Sequence, residues 1–167
     1  VNGFPFNAGS DITTSISVGD LNGDGDKEIV FGTSSGFVYA LTKTGSVHMS
    51  YEQEDPIVDV PVLSDIDLNG DLEIIFISNN DSSSSLYVIH DSGENALGFP
   101  IDFSENIISS PAVADLDNNM VRDIVVATLD TNVYVVDGNG IMNPAFPFSN
   151  TGLFGAHATI ADINGDQ

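Results

Sequence analysis

The stretch Asp20-Leu-Asn-Gly-Asp-Gly-Asp-Lys-Glu28 returns, with substitutions, as Asp65-Ile-Asp-Leu-Asn-Gly-Asp-Leu-Glu73 and as Asp115-Leu-Asp-Asn-Asn-Met-Val-Arg-Asp123. Numbering each loop from its first aspartate places oxygen-bearing side chains at positions 1, 3, 5 and 9. These are Asp20, Asn22, Asp24 and Glu28 in the first loop, and Asp65, Asp67, Asn69 and Glu73 in the second. The third loop has Asp115, Asp117, Asn119 and Asp123. Position 7 is Asp26, Asp71 and Val121, so only its backbone carbonyl is common to all three. Such a set suits a hard cation that takes about 6 to 8 oxygens, calcium above all. The amide moves from position 3 in the first loop to position 5 in the others, yet each loop keeps three side-chain carboxylates as ligands. Crowded carboxylates repel unless a cation lies among them, and a merely solvated turn has no reason to hold that count constant.

A fourth loop begins with Asp162, Asn164 and Asp166 and reaches Gln167 before positions 7 and 9. Three calcium sites are therefore expected. Position 6 must turn sharply, which favours glycine; Gly25 and Gly70 comply, whereas Met120 does not. An EF-hand would place an acid at position 12, where this chain has Phe31, Phe76 and Val126.

The flanks repeat with the loops. The first aspartates lie 45, 50 and 47 residues apart, and an apolar segment precedes each: from Ile12, Ile57, Ile107 and Phe154. Glu28-Ile-Val-Phe31, Glu73-Ile-Ile-Phe76 and Asp123-Ile-Val-Val126 follow, then Val38-Tyr39, Leu86-Tyr87 and Val133-Tyr134. A glycine stands six residues past each tyrosine, at Gly45, Gly93 and Gly140. Phe-Pro recurs at Phe4, Phe99 and Phe146, and the second repeat is lengthened by a polar hairpin insertion over Asn79 to Ser85. Each unit reads as strand, acidic loop, strand, turn, strand, glycine turn, strand, from its β-branched and aromatic runs bounded by Gly, Asn and Ser. Four antiparallel strands every 47 residues or so predict an all-β chain of β-propeller blades. The expected blades are 12–51, 57–101 and 107–148, with partial blades at 1–8 and 154–167. Propellers close with about 4 to 8 blades, so the chain is expected to be a segment of a larger ring, joined to the remainder of a longer chain or assembly. A β-sandwich is the alternative, but it has no reason to repeat a loop together with its flanks.

Charge narrows the partners. Three Lys and Arg face 25 acids, for a net charge of −22, which disfavours nucleic acid and anionic membranes. Thirteen of those acids fall in the four loop windows, which is clustering, and the other twelve still leave a generally acidic surface. Cysteine is absent, which removes thiol chemistry, and no apolar run is long enough for a membrane span. His48, His90 and His157 read as strand or surface residues, and Tyr39, Tyr87 and Tyr134 as core or inter-blade packing.

With Phe154-Gly155 ahead of Asp162-Ile-Asn-Gly-Asp166, and Asp20-Leu-Asn-Gly-Asp-Gly-Asp-Lys-Glu28 opening a strand, the chain resembles the FG-GAP/VCBS repeat family. These are the repeats of integrin α-subunit propellers and of secreted bacterial proteins. Ile12, Ile57 and Ile107 replace the family's Phe-Gly, which points to a divergent bacterial relative. The resemblance implies a secreted or cell-surface module that displays a surface for adhesion, contacting a protein or carbohydrate ligand. The propeller part of a secreted carbohydrate-active lyase or hydrolase is the alternative. No catalytic residue stands out.

Overall fold

The computed structural model describes residues 3–149, 152 and 159–161. Three four-stranded antiparallel sheets account for them, each a simple meander in sequence order. The first holds β1 (Ser17–Gly19), β2 (Glu28–Gly32), β3 (Phe37–Leu41) and β4 (Val47–Glu52). The second holds β5 (Ile57–Ser64), β6 (Glu73–Asn79), β7 (Ser84–Ile89) and β8 (Ile101–Phe103). The third holds β9 (Ala112–Ala114), β10 (Asp123–Ala127), β11 (Asn132–Asp137) and β12 (Phe148–Ser149). No helix occurs among the described residues, so none there is long and apolar enough to cross a membrane. The polar insertion is shorter than its sequence suggests: Asn79 pairs with Ser84 at the end of the β6–β7 ladder, leaving only residues 80–83 as the turn.

The second strand of each sheet explains how the sheets stack. Its apolar runs do not alternate with polar residues, the pattern of a strand covered on both faces. Every residue of β10 and nearly every one of β6 is buried. Successive strand residues point to opposite faces, and β6 divides accordingly. Ile74 and Phe76 join Val30, Val38, Ala40 and Met49 in a core between the first and second sheets. Ile75 and Ile77 join Ile107, Ile124, Val126 and Val136 in a core between the second and third.

An aromatic seam repeats at each junction. Tyr51, on the outer strand of the first sheet, meets Phe76 and Tyr87 of the second edge-on, with ring centroids 5.7 and 5.8 Å away. Phe103 meets Tyr134 in the same manner at 5.2 Å. Ahead of the first sheet, Phe6 meets Phe31 at 6.2 Å and Tyr39 at 5.3 Å. Phe6 thus stands to the first sheet as Tyr51 stands to the second.

Glycine pairs close the same seam. Gly98 precedes Phe99-Pro100 and lies against the backbone of Asn139 and Gly140, and Gly3 lies likewise against Thr44 and Gly45. All four glycines have positive φ. At the middle junction His48 takes the place of that first glycine, and Gly93 has only Ser50 O nearby, 3.9 Å from where a Cβ would stand. Gly98→Ala combines an unfavourable φ with a backbone clash, whereas Gly9→Ala meets the same kind of φ in open space. Gly98→Ala should therefore lower Tm by roughly 4–8 °C, about 2 kcal/mol. Thermal melts should show a smaller loss for Gly9→Ala.

Candidate functional site

The acidic loops join the first strand of each sheet to the second, so all three sit at one end of the stack beside the glycine turns that follow the third strands. Position 9 opens the second strand and is buried in every case: Glu28, Glu73 and Asp123. Its carboxylate accepts the backbone N–H of position 2. The distances are 3.2 Å from Leu21 N to Glu28 Oε2, 2.7 Å from Ile66 N to Glu73 Oε2, and 2.9 Å from Leu116 N to Asp123 Oδ2. One carboxylate thus ties the start of the loop to its end.

Between those ties the loop winds around its own carboxylates. Position 1 accepts the N–H of position 6: Gly25 to Asp20 at 2.9 Å, Gly70 to Asp65 at 3.1 Å, and Met120 to Asp115 at 2.8 Å. Position 3 accepts the N–H of position 5 at 3.1 Å in all three, through Asn22, Asp67 and Asp117. Position 5 accepts the N–H of position 7, through Asp24, Asn69 and Asn119, at 2.8, 2.7 and 2.6 Å. Amide and carboxylate are interchangeable in this role because each supplies an acceptor oxygen, which explains how the amide can move between positions 3 and 5.

Position 6 adopts the left-handed backbone that glycine favours, with φ of 89° at Gly25 and 101° at Gly70. Met120 adopts it as well, at 70°, so the third loop keeps the turn despite its side chain. Position 4 is also left-handed, at Gly23 (69°), Leu68 (61°) and Asn118 (58°). Glycine and asparagine favour this backbone but Leu68 does not, so the three sequences do not mark it consistently.

The donor geometry can be tested against a cation. Asp20 Oδ1 and Asp65 Oδ1 are buried without a hydrogen-bond partner. An ionised oxygen in that condition is costly unless a charge meets it, and a cation would meet it. Asp115, Asp117 and Asp123 bring one oxygen each within 4.8 Å of one another. In the second loop the group that gathers within 4.8 Å is Asp67, Glu73 and His90. No three acids of the first loop come that close, and Asp26 there turns outward to Lys43, 2.6 Å away. Only the third loop gathers positions 1, 3 and 9 as a hard divalent ion would need; in each loop the residues to hold such an ion would be positions 1, 3, 5 and 9, with the backbone carbonyl of Asp26, Asp71 or Val121 at position 7. Asp162, Asn164 and Asp166 lie outside the described residues.

His90 is the site residue that sequence reasoning passed over. It stands three residues beyond Tyr87, as Thr42 does beyond Tyr39 and Asp137 beyond Tyr134. Strand register sets this position opposite the acid at position 9, with Asp123 and Asp137 as direct partners. Clefts lie between these elements in the outer sheets. One of ≈ 360 Å³ is lined by Asp24, Glu28 and Thr42, and one of ≈ 190 Å³ by Asp117, Asp123 and Asp137. A separate groove of ≈ 640 Å³, lined by Asp55, Asn79, Asn80 and Asp81, sits at the opposite end of the stack.

Burial pushes both the Glu73 and the Asp123 carboxyls above their ordinary values. The Ile66 N–H and His90 pull Glu73 partly back, while the charge of Asp67 pushes it further up. For Asp123 the Leu116 N–H pulls down, and the charges of Asp117, Asp115 and Asp137 push up.

Three four-stranded meanders stacked face to face, each with its acidic loop at the same end, define a β-propeller-type chain. Residues 13–48, which span most of the first sheet and its acidic loop, match the model of the FG-GAP repeat. The fold is similar to that of BamB from Moraxella catarrhalis, a β-propeller, with a TM-score of 0.57 and 18% identity over 82% of this chain. The match spans 37% of BamB, so this chain accounts for well under half of that protein's length. It is also similar to the computationally designed Ika4 protein, with a TM-score of 0.65 and 13% identity over 94% of this chain and 84% of Ika4. BBS1N, solved in complex with ARL6DN, matches with a TM-score of 0.53 and 12% identity over 92% of this chain and 57% of its own. No curated protein matches by sequence.

Two expectations follow from the loop geometry. Asp24→Ala should weaken cation affinity more than Asp26→Ala, because alanine keeps the position 7 carbonyl and the Asp26 side chain points to Lys43. Calcium titration of both variants checks this, and equal losses would contradict the loop geometry. The second concerns pH. A carboxylate whose folded pKa is raised penalises folding when ionised, and that penalty disappears as pH falls through the raised value. Metal-free protein should therefore gain stability as pH drops from 7 toward the ordinary values of 4.5 for Glu73 and 3.8 for Asp123. The gain should be smaller in Glu73→Gln, as read by melting across that range.

Proposed function

We propose that this chain is a calcium-binding, non-catalytic propeller module, secreted or held at a cell surface, that presents a rigid face to a protein partner. The observation that carries the reading is the loop cradle. The same backbone-to-side-chain hydrogen bonds recur in three loops of differing sequence, and two of the loops leave a buried aspartate oxygen without a partner. A turn needed only to connect two strands would not have to preserve both the carboxylate count and the winding.

Calcium would act as a clasp. In each loop it would bridge the end of the first strand to the acid that opens the second, and so fix one edge of the blade. The FG-GAP match in the first blade and the strongly acidic surface support a module that works where calcium is plentiful. Extracellular calcium modules have Kd values of about 10⁻⁴ to 10⁻³ M. A protein partner is supported by BBS1N, whose fold is similar and which was solved bound to ARL6DN.

The test is melting in chelator, calcium and magnesium at matched ionic strength, since added salt alone screens a net charge of −22. At calcium a hundredfold above Kd, each site should contribute about 2.7 kcal/mol. That corresponds to roughly 5–10 °C per site for a chain of this size. Magnesium should substitute poorly, because it demands a tight octahedron and keeps its waters. Equal melting temperatures in calcium and chelator would refute the reading.

A further inference from the structure

The three loops share a backbone path but not the side chain that faces position 9. In the first sheet that residue is Thr42, whose hydroxyl lies 2.9 Å from that of Thr44. In the third it is Asp137, whose Oδ1 accepts the N–H groups of Asn139 and Ile141 at 2.9 and 2.8 Å. Both offer oxygen only. In the second it is His90, whose Nδ1 lies 3.1 Å from Glu73 Oε1. A carboxylate oxygen of Asp67 completes a group within 4.8 Å.

We propose that the middle loop takes a first-row divalent transition ion such as zinc, on Asp67, Glu73 and His90, in preference to calcium and displaces calcium from that site, while the first and third loops keep an oxygen-liganded ion such as calcium. The inference rests on the cation-binding reading above and assigns a different ion to one of its sites. Calcium and magnesium take oxygen ligands, whereas imidazole nitrogen suits zinc and its neighbours in the first transition row. Two carboxylates and one imidazole make three protein ligands, with room for water or a fourth donor. The loop has a further oxygen to offer, since Asp65 Oδ1 is buried without a partner. Glu73 is fixed by the N–H of Ile66, so one of its oxygens is held in place while the other faces the imidazole. Glu73 is 1% exposed at its side chain and His90 31%, so the ring provides the route by which an ion reaches the buried carboxylate.

A simple ion pair between Glu73 and His90 would account for their 3.1 Å contact but has no use for the Asp67 carboxylate beside them. A second histidine supplies the control. His48 Nε2 lies 3.8 Å from Asp91 Oδ2 across the junction of the first two blades, a pair with no third ligand among the described residues.

The experiment is calorimetric titration of zinc into the tag-free 167-residue chain held in saturating calcium, for the native sequence, His90→Thr and His48→Gln. Threonine is the residue the first blade carries at this position, so His90→Thr should fold, and its calcium titration and far-UV spectrum verify that. The expected result is one zinc per chain, with affinity reduced at least about tenfold in His90→Thr and unchanged in His48→Gln. Zinc should also shift the ring resonances of His90 and leave those of His48 in place. Zinc affinity that is the same in His90→Thr, or that disappears in His48→Gln, overturns the assignment while calcium binding still stands. Failure of the native chain to bind calcium at all would instead overturn the broader reading.

Discussion

The buried carboxylate at the start of each second strand constrains everything around it. Glu28, Glu73 and Asp123 enter the interior at the point where β2, β6 and β10 begin, and each accepts one backbone N–H from the head of its own loop. That bond offsets part of the cost of burying an acid, but only part, and burial still pushes Glu73 and Asp123 above their ordinary pKa values. A charge held this way is tolerable if a positive partner stands nearby. Lys43 serves Asp26 at the surface and does nothing for the buried acids. A bound cation is the partner that would serve each loop, and in the third loop Asp115, Asp117 and Asp123 already bring their oxygens together.

The rest of the molecule follows from fixing that edge. With β5 and β6 clasped at one end, β6 runs between two sheets and is covered on both faces. Its alternate side chains feed two separate cores. The aromatic seam and the glycine pairs then set how close successive sheets approach. The loops also communicate directly across a junction: Leu72 N, in the second loop, donates to Leu21 O, in the first, at 3.2 Å. Ions bound in adjacent loops would therefore brace neighbouring sheets as well as single strands.

Much of this could be read from the residues alone, and what could not has a physical reason. The clustering of aspartates, the constant carboxylate count and the uninterrupted apolar runs each encode a local requirement, so they are visible in the chain. The left-handed backbone at position 4 is not, because Leu68 adopts it against its own preference and the three residues there, Gly23, Leu68 and Asn118, share no common type. His90 was hidden for a different reason. Its role depends on the register between β6 and β7, which sets it beside Glu73 seventeen residues earlier. Aligning the three units on Tyr39, Tyr87 and Tyr134 would have revealed it, since Thr42, His90 and Asp137 then fall in one column. The polar segment Asn79 to Ser85 has the composition of a loop, yet Ser84 and Ser85 pair in β7, where the backbone ladder outweighs composition.

The central claim is that the three acidic loops are cation sites built to one plan. Anomalous scattering from crystals grown in calcium tests it most directly. With calcium as the sole metal supplied, the account predicts one peak in each of the loops beginning at Asp20, Asp65 and Asp115, about 2.3–2.6 Å from the loop oxygens that hold it. Density for all three loops in the arrangement described, with no ion in any of them at millimolar calcium, would contradict it.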